Sequence, residues 1–193
     1  MVLLTFPVVA QNDSSNYIIL LASGFLCDSG DSSICPATAR SNQGDSYELS
    51  GAGMFNTQNN SVKATGTYTH KSPNGNTVER GVWLARELLK FDSYGTAPDA
   101  LGRPGIALAP VGPKRFMMPT DPMPTGGLAV FRIRLVPMRG PSRTAVLQVN
   151  CALGDVPRER SVEGIRLVFE DNGNDFSEEV GGGVMFLSMG PRT

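Results

Sequence analysis

The clearest alternation of apolar and polar positions begins at Asp45. In DSYELSGAGMF, Tyr47, Leu49, Gly51, Gly53 and Phe55 fall on one face, with Glu48, Ser50 and Ala52 on the other. A period of two marks a half-buried strand. After a turn at Thr57-Gln58-Asn59-Asn60, residues 61–91 read as two long strands folded back at Pro73-Asn74-Gly75-Asn76. Asn-Gly supplies the positive φ angles that a tight hairpin turn needs. Placing Ser72 opposite Thr77 predicts the pairs His70–Glu79, Tyr68–Gly81, Gly66–Trp83, Ala64–Ala85 and Val62–Glu87, all on one face. Large residues then oppose small ones, so Trp83 lies over Gly66 and Tyr68 over Gly81. The other face sets Lys63, Thr65, Thr67, Thr69 and Lys71 against Arg80, Val82, Leu84 and Arg86, a solvated Thr-rich surface. Residues 82–90 also contain good helix formers. Trp83, Ala85, Leu89 and Phe91 nevertheless keep the two-residue period, and the upstream strand needs a partner. A strand is expected.

A second hairpin follows around Gly140-Pro141-Ser142. With Arg139 opposite Arg143, its inward pairs are Leu135–Leu147, Ile133–Val149 and Phe131–Cys151, while Arg132 and Arg134 point outward. Residues 161–169 form a strand with Ile165, Leu167 and Phe169 inward, and residues 180–188 form the last. Gly181-Gly182-Gly183 at its start marks a bulge or a close backbone contact. Residues 93–127 have no period. They hold seven prolines and a Met-rich patch, Phe116-Met117-Met118 followed by Met123. So long a loop is either functional or wraps the body. It reads as an adaptable lid over an apolar opening, or as a plug for one end of the fold.

These segments define an all-β fold of seven to eight antiparallel strands with one long Pro-rich crossover loop. A closed barrel is favoured over a β-sandwich, because the inner face of the central hairpin mixes small, aromatic and polar residues. Residues 1–10, MVLLTFPVVA, end in Val8-Val9-Ala10, a small-residue cleavage pattern before Gln11, though without a basic leader. Residues 17–27 are a second apolar run, either a further export-signal core or a genuine first strand. The expected division is an export-like, poorly integrated segment at 1–30 and a single all-β domain at 31–193. The location that follows is secreted, periplasmic or cell-surface.

Composition narrows the function classes. The 17 basic and 18 acidic residues form no run of either sign, which argues against a nucleic-acid partner. No apolar run reaches the roughly 20 residues that span a bilayer. Cys27 and Cys35 flank a short polar loop and are close enough to bridge, but the odd count of three leaves the pairing open. Cys151 sits in a strand pattern as a buried free thiol.

His70 is the only histidine and Trp83 the only tryptophan. His70 opposite Glu79 is the most enzyme-like pair, since a neighbouring carboxylate orients an imidazole for proton transfer. Its place near a hairpin tip makes a wet cross-strand ion pair the simpler reading. Glu87 falls inward beside Val62, where apolar surroundings would perturb a carboxylate. It is the best catalytic candidate. Together with Tyr47, Tyr68 and Trp83 it would line a ligand cavity, with Met117 and Met118 in the lid. The Asp171–Asp175 stretch with Glu178 and Glu179 fails the calcium-loop spacing and reads as a plain turn. One histidine and no close cysteine cluster give no metal site. No phosphate loop or dinucleotide fingerprint is present, so no cofactor is expected. Asn12-Asp13-Ser14 and Asn59-Asn60-Ser61 match the glycosylation sequon.

As a set, NQGDSYELSGAGMF, ATGTYTHKSPNGNTVERGVW, LLKFDSYG and LQVNCALG resemble an uncharacterised family of secreted all-β proteins from bacteria and fungi. The resemblance spans about residues 35–187. It implies export and a boundary near residue 30, and supplies no catalytic residues. Three functional readings stand: a secreted non-catalytic barrel that binds a small apolar or amphipathic ligand or acts as an interaction module; a barrel isomerase or cyclase of the allene-oxide-cyclase or dirigent architecture using an inward carboxylate; and a structural homo-oligomer associating through its Thr-rich face.

Overall fold

The computed structural model describes residues 15–28, 31, 33–102 and 122–189. The alternating segments pair into one antiparallel sheet of eleven strands, with no α-helix among the described residues. In chain order these are β1 (Asn16–Leu21), β2 (Ala37–Arg40), β3 (Ser46–Asn56), β4 (Val62–Lys71), β5 (Thr77–Thr96), β6 (Met123–Pro137), β7 (Arg143–Cys151), β8 (Gly164–Phe169), β9 (Asp175–Phe176), β10 (Glu178–Gly181) and β11 (Val184–Met189). The pattern predicts seven or eight. The added β2, β9 and β10 are only 4, 2 and 4 residues long, too short for a period of two to register.

The pairings make one closed circuit and one open path. β3, β4, β5, β6, β11 and β1 pair in succession, and β1 returns to β3. A second path leaves β6 through β7 and β8 to residues 175–181. There β9 pairs with β8, and β10 pairs with β2, which returns to β3. The glycine run before β11 is a close contact, as expected. Gly182 has φ +126°, and a Cβ there would sit 2.2 Å from the Ala37 Cα.

β1 corrects the expected domain boundary. All six of its residues pair with β11 on one side and β3 on the other. Tyr17, Ile19 and Leu21 enter the main core, while Ile18 and Leu20 pack against a second cluster of Leu26, Met185 and Leu187. Strands covered on both faces lose the polar half of the alternation. That is why residues 17–27 read as a continuous apolar run. Phe25, Leu26 and Ile34 supply the outer cover, and a Cys27–Cys35 disulfide ties the segment carrying Phe25 and Leu26 to the one carrying Ile34. Residues 1–14, with the expected cleavage pattern and the first sequon, lie outside the described residues.

The central hairpin forms in the predicted register from Gly66–Trp83 to His70–Glu79, with a one-residue slip between His70 and Lys71. Trp83 is a core residue, its Nε1 donating to the Ser50 carbonyl at 3.1 Å. It lies flush on Gly66, where a Cβ would come within 2.6 Å of Nε1. The second hairpin has the expected faces in a different register. Leu135 pairs with Arg143, Ile133 with Ala145 and Phe131 with Leu147, four residues from the expected pairing. The offset arises because Val136 and Pro137 remain paired to β5 and lengthen the turn. An even shift keeps every side chain on its face, so Phe131, Ile133, Leu147, Val149 and the free thiol of Cys151 are all buried.

Glu87 is the main correction. β5 carries bulges between Ala85 and Glu87, Leu88 and Lys90, and Ser93 and Gly95. Each extra residue exchanges the inner and outer faces. Leu88 therefore takes the inward place, 2% exposed, and Leu89 is 38% exposed. Glu87 lies at the surface, ion-paired with Arg132, which also bonds Glu170 at 2.9 Å.

Candidate functional site at the hairpin end

Following the strand directions, the turns at 41–45, 72–76, 138–142 and 170–174 all fall at one end of the sheet. Hairpin turns are where side chains are free of the ladder and reach solvent. The site is built there.

Tyr47, on β3, is its centre. Its ring stacks on His70 of β4 at 4.5 Å and 6° between planes. It meets Phe176 edge-on at 4.8 Å and Phe169 at 5.3 Å. The Arg143 guanidinium sits 3.7 Å above the Phe169 ring. Arg143 donates through Nε and Nη2 to both carboxylate oxygens of Asp171, at 3.1 and 3.2 Å. These bonds hold the Asp171 carboxyl below its usual range.

His70 and Glu79 pair in the backbone but not through their side chains. The Tyr68 hydroxyl donates to Glu79 Oε1 at 2.7 Å, because a long aromatic side chain reaches the diagonal position two residues along the partner strand. His70 Nε2 instead lies 3.5 Å from Asp45 Oδ1. That distance is within ion-pair reach, but the groups are not aligned for a hydrogen bond, and this buried atom has no hydrogen-bond partner.

The Tyr47 phenol is pushed up to about 12 by burial and, less strongly, by the Glu79 charge. The Tyr68 phenol is also raised, by burial and then by its bond to Glu79. Both stay protonated at neutral pH. They are donors, not bases.

Two clefts open on either side of Tyr47, His70 and Arg143, which line both. The narrower, about 170 Å³, adds Asp45, Asp175 and the rings of Phe169 and Phe176. The wider, about 440 Å³, adds Glu79, Arg80, Arg139 and the apolar lip of Val78 and Met138. A third cleft of about 290 Å³ lies between β7, β8 and residues 159–162. Its two arginines are taken up internally, Arg160 by Asp92 and Arg166 by Glu179.

The candidate residues, those expected to line a cavity and the His70–Glu79 pair expected near the hairpin tip, are thus divided differently. Tyr47, His70 and Glu79 meet at the hairpin end, and Tyr68 joins them through its hydroxyl. Trp83 belongs to the core and Glu87 to the outer surface. Met117 and Met118 lie outside the described residues. Asp45, Val78, Met138 and Arg143 escape sequence reasoning, because they sit in or beside three different turns. Only knowing that the turns share an end would bring them together.

Among the described residues no group of three His, Cys, Asp or Glu side chains is placed to hold a metal ion. No helix among them is long and apolar enough to cross a membrane, a statement that leaves strands aside. No protein-family model, curated protein or solved structure matches this chain.

Proposed function

We propose that the protein is a secreted β-barrel binding domain whose ligand site is the hairpin end. Closure as a barrel is supported by the closed circuit of β3, β4, β5, β6, β11 and β1, since a sheet whose strands return to the first has no long free edge. Export is supported by the Cys27–Cys35 bridge, because disulfides persist in oxidising compartments. The observation that carries the function is the wider cleft. Its volume of about 440 Å³ falls in the range of small-molecule sites, and it combines an apolar lip with a few convergent polar groups.

The ligand is small and amphipathic, and it sits at the mouth of the barrel rather than in its interior. The isomerase or cyclase reading required an inward Glu87, and with Glu87 at the surface nothing favours it. The reading as a self-associating subunit rests on a face whose exposed residues include Lys63, Thr65, Thr67, Arg80 and Val82, and the Thr65 hydroxyl is already bonded to the Trp83 carbonyl at 2.7 Å.

The test is native mass spectrometry after incubation with a mixed extract of lipids and terpenoids. A retained small molecule, lost in the Val78→Asp/Met138→Asp variant, is the expected result. No retained molecule, or one indifferent to the variant, overturns the proposal. A retained molecule of altered mass would make the protein an enzyme.

A further inference from the structure

The wall formed by Tyr47, His70 and Arg143 separates two compartments of opposite charge. On the narrow side Asp45 and Asp175 face one guanidinium, that of Arg143. On the wide side Arg80, Arg139 and Arg143 face a single carboxylate, Glu79. Glu79 is moreover engaged through Oε1 by the Tyr68 hydroxyl. Arg143 is occupied by Asp171 and the Phe169 ring. Arg80 and Arg139 form no ion pair with any described carboxylate. Arg80 reaches only the Thr77 hydroxyl, at 3.5 Å.

Two guanidiniums without carboxylate partners thus stand at the rim of a cleft whose neighbouring side chains are apolar. Met138 is 81% exposed and Val78 60% exposed. A guanidinium is a planar fork of donors that matches an oxyanion, and clefts lined by one sign of charge concentrate ligands of the other. Exposed Met and Val beside it gain free energy by covering hydrocarbon.

From this juxtaposition we infer that the ligand of the wide cleft is an amphipathic anion. Its carboxylate, sulfate or phosphate head lies between Arg80 and Arg139. Its hydrocarbon body lies along Val78 and Met138 toward the Tyr47–His70 wall. The acidic narrow cleft behind that wall opposes insertion head-first, which fixes the orientation. The inference rests on the hairpin end being a binding site, and it adds the charge class.

Isothermal titration calorimetry tests it with probes of matched chain length, kept below their micelle concentrations: decanoate and decyl sulfate, neutral 1-decanol, and cationic decyltrimethylammonium. The anions are expected to bind at least about tenfold more tightly than the alcohol, the cation more weakly than either, and the anion preference should shrink as salt is raised. Arg80→Gln/Arg139→Gln should lower anion affinity about tenfold and abolish the preference. Equal affinity for anion and alcohol, a preference for the cation, or an anion preference surviving the double substitution overturns this inference while leaving the binding site standing. If no probe binds in a manner sensitive to Met138→Asp, the site itself is wrong. Decanoate binding without decyl sulfate would confine the head group to carboxylates.

Discussion

At the opposite end of the sheet from the turns at 41–45, 72–76, 138–142 and 170–174, Tyr17, Phe55, Phe91, Phe131 and Phe186 pack ring on ring. Tyr17 lies 5.2 Å from Phe55 and 4.6 Å from Phe91, and Phe55 meets Phe131 and Phe186 edge-on at 5.6 and 5.8 Å. At the hairpin end Tyr47, Phe169 and Phe176 are spaced as closely. There, however, the rings come with an imidazole, a guanidinium and carboxylates from the turns. The same side-chain type makes a plug at one end and the floor of the candidate site at the other. What differs is the charge the turns bring, since charged groups keep water, or a ligand, in reach. Aromatic clustering alone therefore does not locate function in a sheet of this kind.

The sharpest way to break that comparison is to truncate one ring at each end. Phe55→Ala opens a void among four other rings and should cost about 3–5 kcal/mol in urea unfolding. His70→Ala removes a partly exposed ring stacked on Tyr47 and should cost only about 1 kcal/mol, while weakening probe binding in the wide cleft. Equal costs would make the hairpin end ordinary core. Weakened binding in Phe55→Ala at temperatures where it is folded would mean that the two ends are not independent.

A smaller effect comes from pH. The Tyr47 phenol has a folded-state value raised from 10.0 to about 12, first by burial and then by Glu79. A raised value means that stability is fully present below about pH 10 and is lost as the pH climbs toward 12, because the unfolded chain gives up its proton first. The Tyr68 phenol is displaced in the same direction. The urea midpoint should fall through that window, and Tyr47→Phe should flatten the fall. An unchanged fall in Tyr47→Phe would show that the hairpin-end phenol is not the group responsible.

Much of this architecture is legible in the alternation alone. Tyr47, Leu49 and Phe55 face the core as expected, and the Asn74-Gly75 turn sets the central register because the turn type and the large-over-small pairing agree. The second hairpin shows why faces are easier to read than partners. An even slip leaves every Leu, Ile and Val buried, so burial cannot choose between registers four residues apart. β1 was obscured by the opposite cause, having too many apolar residues rather than too few. The site was half legible. Tyr47, His70 and Glu79 lie on regular strands, but Asp45, Met138 and Arg143 depend on which turns converge, a property of topology that no local pattern carries.

Glu87 marks the boundary between those cases. The first bulge of β5 inverts the faces after Ala85, and the second restores them before Phe91. Phe91 accordingly packs against the core where the alternation expects it. Up to Phe91 only the residues between these two bulges are reversed, and no glycine or proline in residues 85–90 signals either one. A strictly alternating strand would bury both Glu87 and Leu89, and Leu89→Ala would then cost about 2–5 kcal/mol. With the bulges, Leu89→Ala should cost less than about 1 kcal/mol. Glu87→Gln should leave the urea midpoint nearly unchanged, with any small difference vanishing in high salt, because Arg132 keeps its bond to Glu170. A large loss in Leu89→Ala, or a gain in Glu87→Gln that persists in salt, would restore the inward carboxylate. The interior of the fold, not the hairpin end, would then be the place to look for a ligand.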